Sequence, residues 1–285
     1  MKIKKITISL LFLCVYAVSF VQDVKAQGSE VKEPYYVIDF SITAANVDIR
    51  VNDISIFHEE IKGHMGVKMP ANNAIFKSGR QKLSLELTPL AGEKYLDANA
   101  EVGLAVEFVD AMNFNTISRE SFEVLKSSPD GSPMEKLHSE FTFNAEVPYE
   151  ITILGDAQDL REVKDLEAKL KKAYRELYTM IEKREFSAFE SVLRAKYATI
   201  AQMLYLSEKE SKDRVKRVIS DLKNENTKLK PFPSEVVLNI EAGGKLAKLK
   251  NENGNEILTF EDDEGETELH FSFYLPKGSD KFIAF

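Results

Sequence analysis

The residues that most resemble a metal site lie between positions 58 and 64, where the chain reads His-Glu-Glu-Ile-Lys-Gly-His. Imidazole and carboxylate groups are common zinc ligands, and a zinc site takes three or four ligands. The helical zinc motif has its histidines four residues apart on one face. His58 and His64 are six apart and follow a strand-like segment. The spacing favours a solvated loop, and His58, Glu59 and His64 are kept as candidate metal ligands.

A second candidate site lies on one face of a C-terminal strand. Apolar residues at positions 269, 271, 273 and 275 alternate with His270, Ser272 and Tyr274. The polar face would line a ligand pocket if His138 or a carboxylate from another segment joined it. A sheet with one solvated face gives the same alternation. The sequence leaves both interpretations open, and His270, Ser272 and Tyr274 are the candidate pocket residues.

Recognisable catalytic motifs are missing from the sequence. No serine lies in a Gly-x-Ser-x-Gly motif, and the only cysteine, Cys14, is in the N-terminal segment. The acidic run at 261–266 lacks the order of a calcium loop and is typical of a solvated hairpin tip. A glycosidase-type carboxylate pair assembled from distant strands stays open. We therefore predict no catalytic residues and no cofactor, and a non-catalytic protein is favoured over an enzyme.

The first 26 residues resemble a cleaved secretory signal peptide. Three lysines precede an uncharged stretch from Ile6 to Val21, and Val24-Lys25-Ala26 has the form of a cleavage site. A membrane span needs about 20 apolar residues, and this stretch is shorter. Leu13 occupies the place where a lipoprotein signal needs a small residue before Cys14. We expect cleavage near Ala26, no membrane span afterwards, and export to the periplasm or the outside of a bacterium.

The mature chain is expected to be acidic and free of disulfides. Loss of four lysines and one aspartate with the leader lowers the formal net charge from −8 to −11. Nucleic acid and anionic membrane surfaces are unsuitable partners for such a charge. Stability must come from buried apolar surface, because no cysteine remains for a cross-link.

The pattern of apolar residues changes near Gly155 and predicts two domains. Short alternating runs such as 47–51, 54–57 and 83–87 indicate strands, with a hairpin turn at Asn52-Asp53 and a further strand over 141–154. Residues 33–155 are therefore expected to form an all-β sandwich or jelly roll. Residues 158–224 then follow a helical period, and the first helix is expected to start at Asp156 or Asp159. Capping-box sequences lie at Ser187–Glu190 and Ser207–Glu210. A β-meander over 235–285 completes an α+β domain, 156–285, in which three helices cover the meander.

Two resemblances accompany these patterns. A strand, a turn and an alternating strand follow one another at residues 46–53, 73–79 and 81–87. This order is similar to that of galactose-binding-like jelly rolls. The matching positions are turn and core residues, so no ligand contact is implied. The C-terminal region resembles nuclear-transport-factor-2-like α+β cones, which hold a pocket. The resemblance lies in the order of its parts: a helix, the segment Glu185–Phe189, a second helix and a terminal meander. That resemblance implies shape and no chemistry.

Three functional hypotheses follow. The first is an exported, non-catalytic binding protein of the bacterial envelope that holds a protein or a glycan through the sandwich or the domain junction. Long segments at Glu59–Asn73 and Ser127–Lys136 are its expected contact loops. The second is a small-molecule or hydrolytic pocket in the C-terminal domain. The third is an envelope inhibitor or immunity-type protein whose acidic surface suits a basic target. Neither the ligand nor the oligomeric state can be read from the sequence.

Overall fold

The computed structural model describes residues 31–127, 132–263 and 265–285. The predicted signal peptide, with Cys14, lies outside this described part. The described chain is rich in β-strand, and its three α-helices lie in the C-terminal part, as the sequence pattern predicts. Within these ranges, no helix has both the length and the apolar character that a bilayer crossing requires.

A long hairpin begins the fold. Strand β1, Pro34–Val51, pairs antiparallel with β2, Ile54–Pro70, from the turn to the far end. Asn52 and Asp53 form the turn with φ of 49° and 67°, a left-handed conformation that these two residue types tolerate. The predicted hairpin is therefore confirmed. The segment Glu59–Asn73, predicted as a loop, is instead mostly β2, because its backbone pairs with β1 as far as Pro70.

The sheet curls because β1 changes neighbours along its length. Its second edge pairs first with β4 and then, beyond a bulge at Ala44, with β3. Ala44 has a φ of 46° at this register shift, and the apolar side chains of β1 stay on one face although their sequence phase changes there. The other strands extend this sheet: β3 Gly79–Thr88, β4 Glu101–Asp110, β5 Thr116–Ser121, β6 Leu125–Lys126 and β7 Leu137–Ala145.

The concave side of the curled sheet encloses the first hydrophobic core. Tyr36 of β1 stacks on Phe108 of β4 and also contacts Phe143 of β7, with ring centroids 5.4 Å and 5.9 Å apart. The contact with Phe143 joins β1 to β7, which is not a neighbour of β1 in the sheet. The strand predicted over Phe141–Leu154 ends at Ala145, and the residues after it follow an irregular path into the second part of the chain.

Three helices follow: α1 Leu166–Glu182, α2 Phe186–Met203 and α3 Glu208–Lys223. The predicted helix start at Asp156 or Asp159 is wrong, because a 3-10 turn over Leu160–Glu162 precedes α1. The capping box at Ser207–Glu210 is confirmed. The one at Ser187–Glu190 is wrong, because α2 begins one residue before Ser187 and its N-cap is Glu185.

Two small antiparallel sheets complete the chain. Their strands are β8 Lys228–Leu229, β9 Val237–Glu241, β10 Leu246–Lys250, β11 Leu258–Asp262, β12 Gly265–Leu269, β13 Phe273–Tyr274 and β14 Ile283–Ala284. One sheet has the order β14-β13-β10-β9 and the other β12-β11-β8. The helices pack on them around a second hydrophobic core that includes Tyr174, Phe189 and Phe271. The helices cover these strands as predicted, but the strands do not form one meander, because β13 pairs with β10 in one sheet and not with β12 in the other.

Direct contacts join the curled sheet to the helices and the C-terminal sheets. The side-chain amide of Asn72, fully buried, donates to the main-chain oxygens of Pro34 and Met203 at 3.0 Å and 3.3 Å. The main-chain amide of Gly243 donates to the Asp53 carboxylate at 3.0 Å. Residues 32–285 accordingly cluster as one compact unit. A domain boundary near residue 155 stays a prediction.

Candidate functional site

A polar cleft lies where the β1–β2 hairpin meets the C-terminal strands. It consists of two adjoining cavities of about 600 Å³ and about 290 Å³ that share Ser55, His58, Lys248 and Lys250 among their lining residues. The hairpin forms one wall, and β9, β10 and the turn at 251–256 form the other. The cleft is large enough for a small molecule or a short segment of chain.

The hairpin wall owes its polarity to the alternation of β1. Val47, Ile49 and Val51 are buried in the first core, so Asp48 and Arg50 face away from it. Arg50 Nε donates to Asp48 Oδ2 at 2.6 Å, and Ser55 Oγ donates to Asp48 Oδ1 at 2.7 Å. Burial alone would lower the pKa of Arg50, but the neighbouring Asp48 carboxylate raises it above its usual value. This wall is therefore held in one arrangement by charge-assisted hydrogen bonds.

The opposite wall contains two buried carboxylates. Glu241 is 1% exposed and Glu256 is 4% exposed. Lys248 Nζ lies 3.0 Å from Glu241 Oε1, His270 Nδ1 lies 3.0 Å from Glu256 Oε1, and Lys250 Nζ lies 3.8 Å from that same oxygen. Burial acts to raise the pKa of Glu256, but His270 and the two lysines outweigh it and hold the pKa below the usual value. Glu256 is thus kept ionised in a largely dry position.

Each of these two carboxylates has one oxygen without a hydrogen-bond partner among the described residues, Oε1 of Glu241 and Oε2 of Glu256. Lys248 is close enough to Glu241 Oε1 for charge attraction, but not in the geometry of a hydrogen bond. Unpaired buried acceptors are uncommon because losing their hydration costs about 1–3 kcal/mol. Both residues line the cleft. Both unpaired oxygens are themselves buried, so they add negative charge to this wall without being exposed to a molecule in the cleft.

A buried lysine lies behind this wall. Lys196 of α2 donates from Nζ to the main-chain oxygen of Phe285 at 3.0 Å. Burial lowers the pKa of Lys196 to about 8; Lys248 adds to the decrease, and the charge of Glu256 opposes it. Lys196 therefore belongs to the same charge network as the carboxylate wall.

The candidate metal ligands are spread along β2. His58 is paired with Asp48 and His64 with Thr43, five positions apart on β1, and both histidines are exposed. At about 3.3 Å per strand residue, the two are about 17 Å apart, too far for one ion. His64 Nδ1 instead lies 3.0 Å from Thr43 Oγ1. Among the described residues, no three histidine, cysteine or acidic side chains cluster as metal ligands would. His58 and Glu59 line the cleft, and His64 is outside it.

The three pocket candidates have different surroundings. His270 lines the cleft and contacts Glu256, which is a carboxylate from another segment as the sequence hypothesis required. Ser272 exchanges main-chain hydrogen bonds with Phe285, and Tyr274 packs against a small cluster with Leu154 and Leu246. His138 is on β7, paired with Glu86, and contacts Glu140. His270 alone of these residues is among those that line the described cleft.

Sequence reasoning missed the most informative residues of the cleft, Glu241 and Glu256. One signal was available, because Lys248 and Lys250 alternate with apolar residues in β10 and so share a polar face. The two glutamates follow no motif, and their burial arises from the packing of distant segments. No protein family, curated protein or solved structure matches this chain.

Proposed function

We propose that this chain is an exported, non-catalytic binding protein of the bacterial envelope, and that its ligand, a protein segment or a glycan, is held in the cleft between the hairpin and the C-terminal strands. In this proposal the curled sheet is a β-sandwich domain of jelly-roll type, and the helices and meander form an α+β domain. The cleft is then the domain junction. The two hydrophobic cores, one on each side of it, support this division.

The accessible carboxylates that line the cleft, those of Glu59, Glu60 and Glu268, carry the proposal. Protein segments and glycans both present several N–H or O–H donors at once, and such donors would satisfy these acceptors. The hairpin wall is already ordered by Asp48, Arg50 and Ser55, so binding loses little conformational entropy.

The test is a titration of the isotope-labelled mature protein, residues 27–285, with a panel of soluble glycans and with a pool of random-sequence peptides. Amide chemical shifts report where a ligand binds. We expect changes at residues 55–60 and 253–256 for at least one of the two panels, and weaker changes in Glu59→Gln. Glu123→Gln is the matched control, because Glu123 is exposed and is not among the residues that line the cleft. Changes at neither segment with either panel would remove the proposal.

A second function rests on the contact between His270 and Glu256. A histidine held by a carboxylate is the arrangement of a general base, so the cleft is also a candidate small-molecule or hydrolytic site. This function predicts that His270→Ala abolishes turnover of a small ester or glycoside, whereas Tyr274→Phe has no effect on it. The absence of any turnover by the wild-type protein across such a substrate panel would count against it.

The inhibitor or immunity-type function is the third proposal. Its support is the negative charge of the protein, which has a formal net charge of −8 over the whole chain. Negative charge speeds the encounter with a basic target.

A further inference from the structure

Strand β2 has a free edge that borders the cleft. One edge pairs with β1, and the other has no strand partner in the described part of the chain. Every residue from Ser55 to Glu60 lines the larger cavity. Successive side chains of a strand point to opposite faces, so an unbroken run of six lining residues places the edge of the strand along the cavity. The unpaired main-chain N–H and C=O groups of β2 therefore face the cleft.

The charge around this edge is predominantly negative. Four carboxylates line the larger cavity, those of Glu59, Glu60, Glu256 and Glu268, against two lysines. Both lysines have partners already, because Lys248 is paired with Glu241 and Lys250 donates to the main-chain oxygen of Gly254 at 2.8 Å. Among the four carboxylates, Glu256 is close to His270 and Lys250, and Glu60 is paired with Lys62. Glu59 and Glu268 have no basic partner in the described part of the chain.

We propose that the ligand is an extended segment of another protein that carries lysine or arginine, adds to β2 as a further strand and directs basic side chains to Glu59 and Glu268. This inference rests on the cleft being the binding site. Strand addition uses the main-chain groups of a free edge, and side-chain pockets supply its specificity. A glycan would leave the regular spacing of the edge groups unused. A second copy of this chain would bring a like net charge and the same acidic residues to the edge.

Three blocked nine-residue peptides test the inference against the mature protein. The first alternates lysine with threonine, the second has glutamate in place of lysine, and the third is the lysine peptide with alternate amides N-methylated. Calorimetry gives Kd, and hydrogen exchange of the amides at residues 55–60 reports strand addition. We expect the lysine peptide to bind about ten-fold or more tightly than either of the other two and to slow exchange in that segment. Its affinity should fall as salt increases.

Variants of the protein test the charge contribution. Glu59→Gln and Glu268→Gln should each weaken binding of the lysine peptide about three- to ten-fold, and Glu123→Gln should not change it. Equal binding of the glutamate or the N-methylated peptide would overturn the inference even if a variant failed to fold. Glycan binding at the cleft without lysine-peptide binding would overturn it and leave the proposed function standing. Binding by neither class would remove both.

Discussion

The imidazole of His270 contacts the buried carboxylate of Glu256, with Nδ1 3.0 Å from Oε1. The His270 side chain is 74% exposed, whereas the Glu256 side chain is 3% exposed, so the contact joins a charge in the protein interior to a group in solvent. Removing the exposed partner would leave a buried carboxylate with less compensation. Such a loss costs more than the loss of a surface pair.

His270→Ala should therefore lower the free energy of unfolding at pH 7 by about 1–2 kcal/mol. Because the pKa of Glu256 is lower in the folded protein than in the unfolded chain, its ionisation stabilises the folded state. This stabilisation is complete above the ordinary glutamate pKa and is lost as the pH falls through the pKa of Glu256 in the folded protein. Without His270 that pKa rises, so acid should destabilise the variant at a higher pH than the wild type. Urea unfolding between pH 3 and pH 7 measures both effects.

His138→Ala is the matched control for that measurement. His138 also contacts a glutamate, Glu140, at 3.3 Å, but both side chains are about half exposed. Exposed pairs contribute little to stability, so the control should unfold as the wild type does. Equal effects of the two substitutions would show that the burial of Glu256 is unimportant.

Lys196→Met should change how stability depends on pH in alkaline solution. Burial lowers the pKa of Lys196 to about 8, so the unfolded chain binds more protons than the folded protein between pH 8 and the ordinary lysine value. From pH 7 to pH 9.5, the free energy of unfolding of the wild type should therefore rise by about 2 kcal/mol relative to that of the variant. Urea unfolding at both pH values gives the difference. Tyrosine ionisation contributes equally to both proteins, because they share the same tyrosines, and it cancels from the difference between them.

Lys209→Met is the control for a lysine in solvent, because the Lys209 side chain is 89% exposed. Its stability relative to the wild type should stay constant over the same pH range. The position of Lys196 indicates that its ammonium group is desolvated. If Lys196→Met also keeps a constant stability relative to the wild type, that desolvation is contradicted.

Tyr174→Phe tests the anchor between α1 and the C-terminal strands. Tyr174 is fully buried, and its hydroxyl donates to the main-chain oxygen of Phe271 at 2.7 Å and accepts from the amide of Leu249 at 3.3 Å. Losing the hydroxyl leaves two buried main-chain groups unpaired, so the free energy of unfolding should fall by about 1–2 kcal/mol. Tyr95→Phe, at an exposed tyrosine, should have no measurable effect on urea unfolding.

The sequence predicted those elements whose residues carry a local signal. Asn52 and Asp53 marked the turn of the first hairpin, and the three- and four-residue spacing after Gly155 marked the helices. Strand β2 was underestimated because residues 58–64 are largely exposed and show no alternation of apolar side chains. Their conformation comes from main-chain pairing with β1, which leaves no mark on residue type.

The cleft could be predicted only in part. His58, Glu59 and His270 were singled out by residue type, and all three line it. Glu241 and Glu256 were missed because they are buried by segments far away in sequence. A glutamate in a polar stretch looks the same to pattern analysis whether it is solvated or enclosed.

Gly244→Ala tests the turn that contacts the hairpin tip. Gly244 has a φ of 91°, and an added Cβ would lie 2.5 Å from Asp159 Oδ1 and 2.7 Å from Arg161 Nε. Gly243 also has a positive φ, 61°, but its Cβ would meet nothing within 4 Å. Both alanine variants lose the conformational freedom of glycine, and Gly244→Ala also introduces the crowding. Its free energy of unfolding should therefore be about 1 kcal/mol lower than that of Gly243→Ala. Equal thermal melting of the two variants would contradict this account.

The two capping-box sequences supply the last prediction, because one forms and the other does not. Ser207 Oγ accepts from the amide of Glu210 at 3.2 Å, and the Glu210 carboxylate accepts from the amide of Ser207 at 2.8 Å. Ser207→Ala removes the serine half of this exchange and should lower the free energy of unfolding by about 1 kcal/mol.

Ser187→Ala is the matched substitution at the box that does not form. Ser187 lies inside the first turn of α2, and the carboxylate of Glu190 is bound to Arg194 rather than to the start of the helix. Alanine is also a better helix former than serine, so this variant should be as stable as the wild type or slightly more stable. Urea unfolding of both variants decides the matter: a loss at Ser187 equal to the loss at Ser207 would mean that α2 begins at Ser187 in solution.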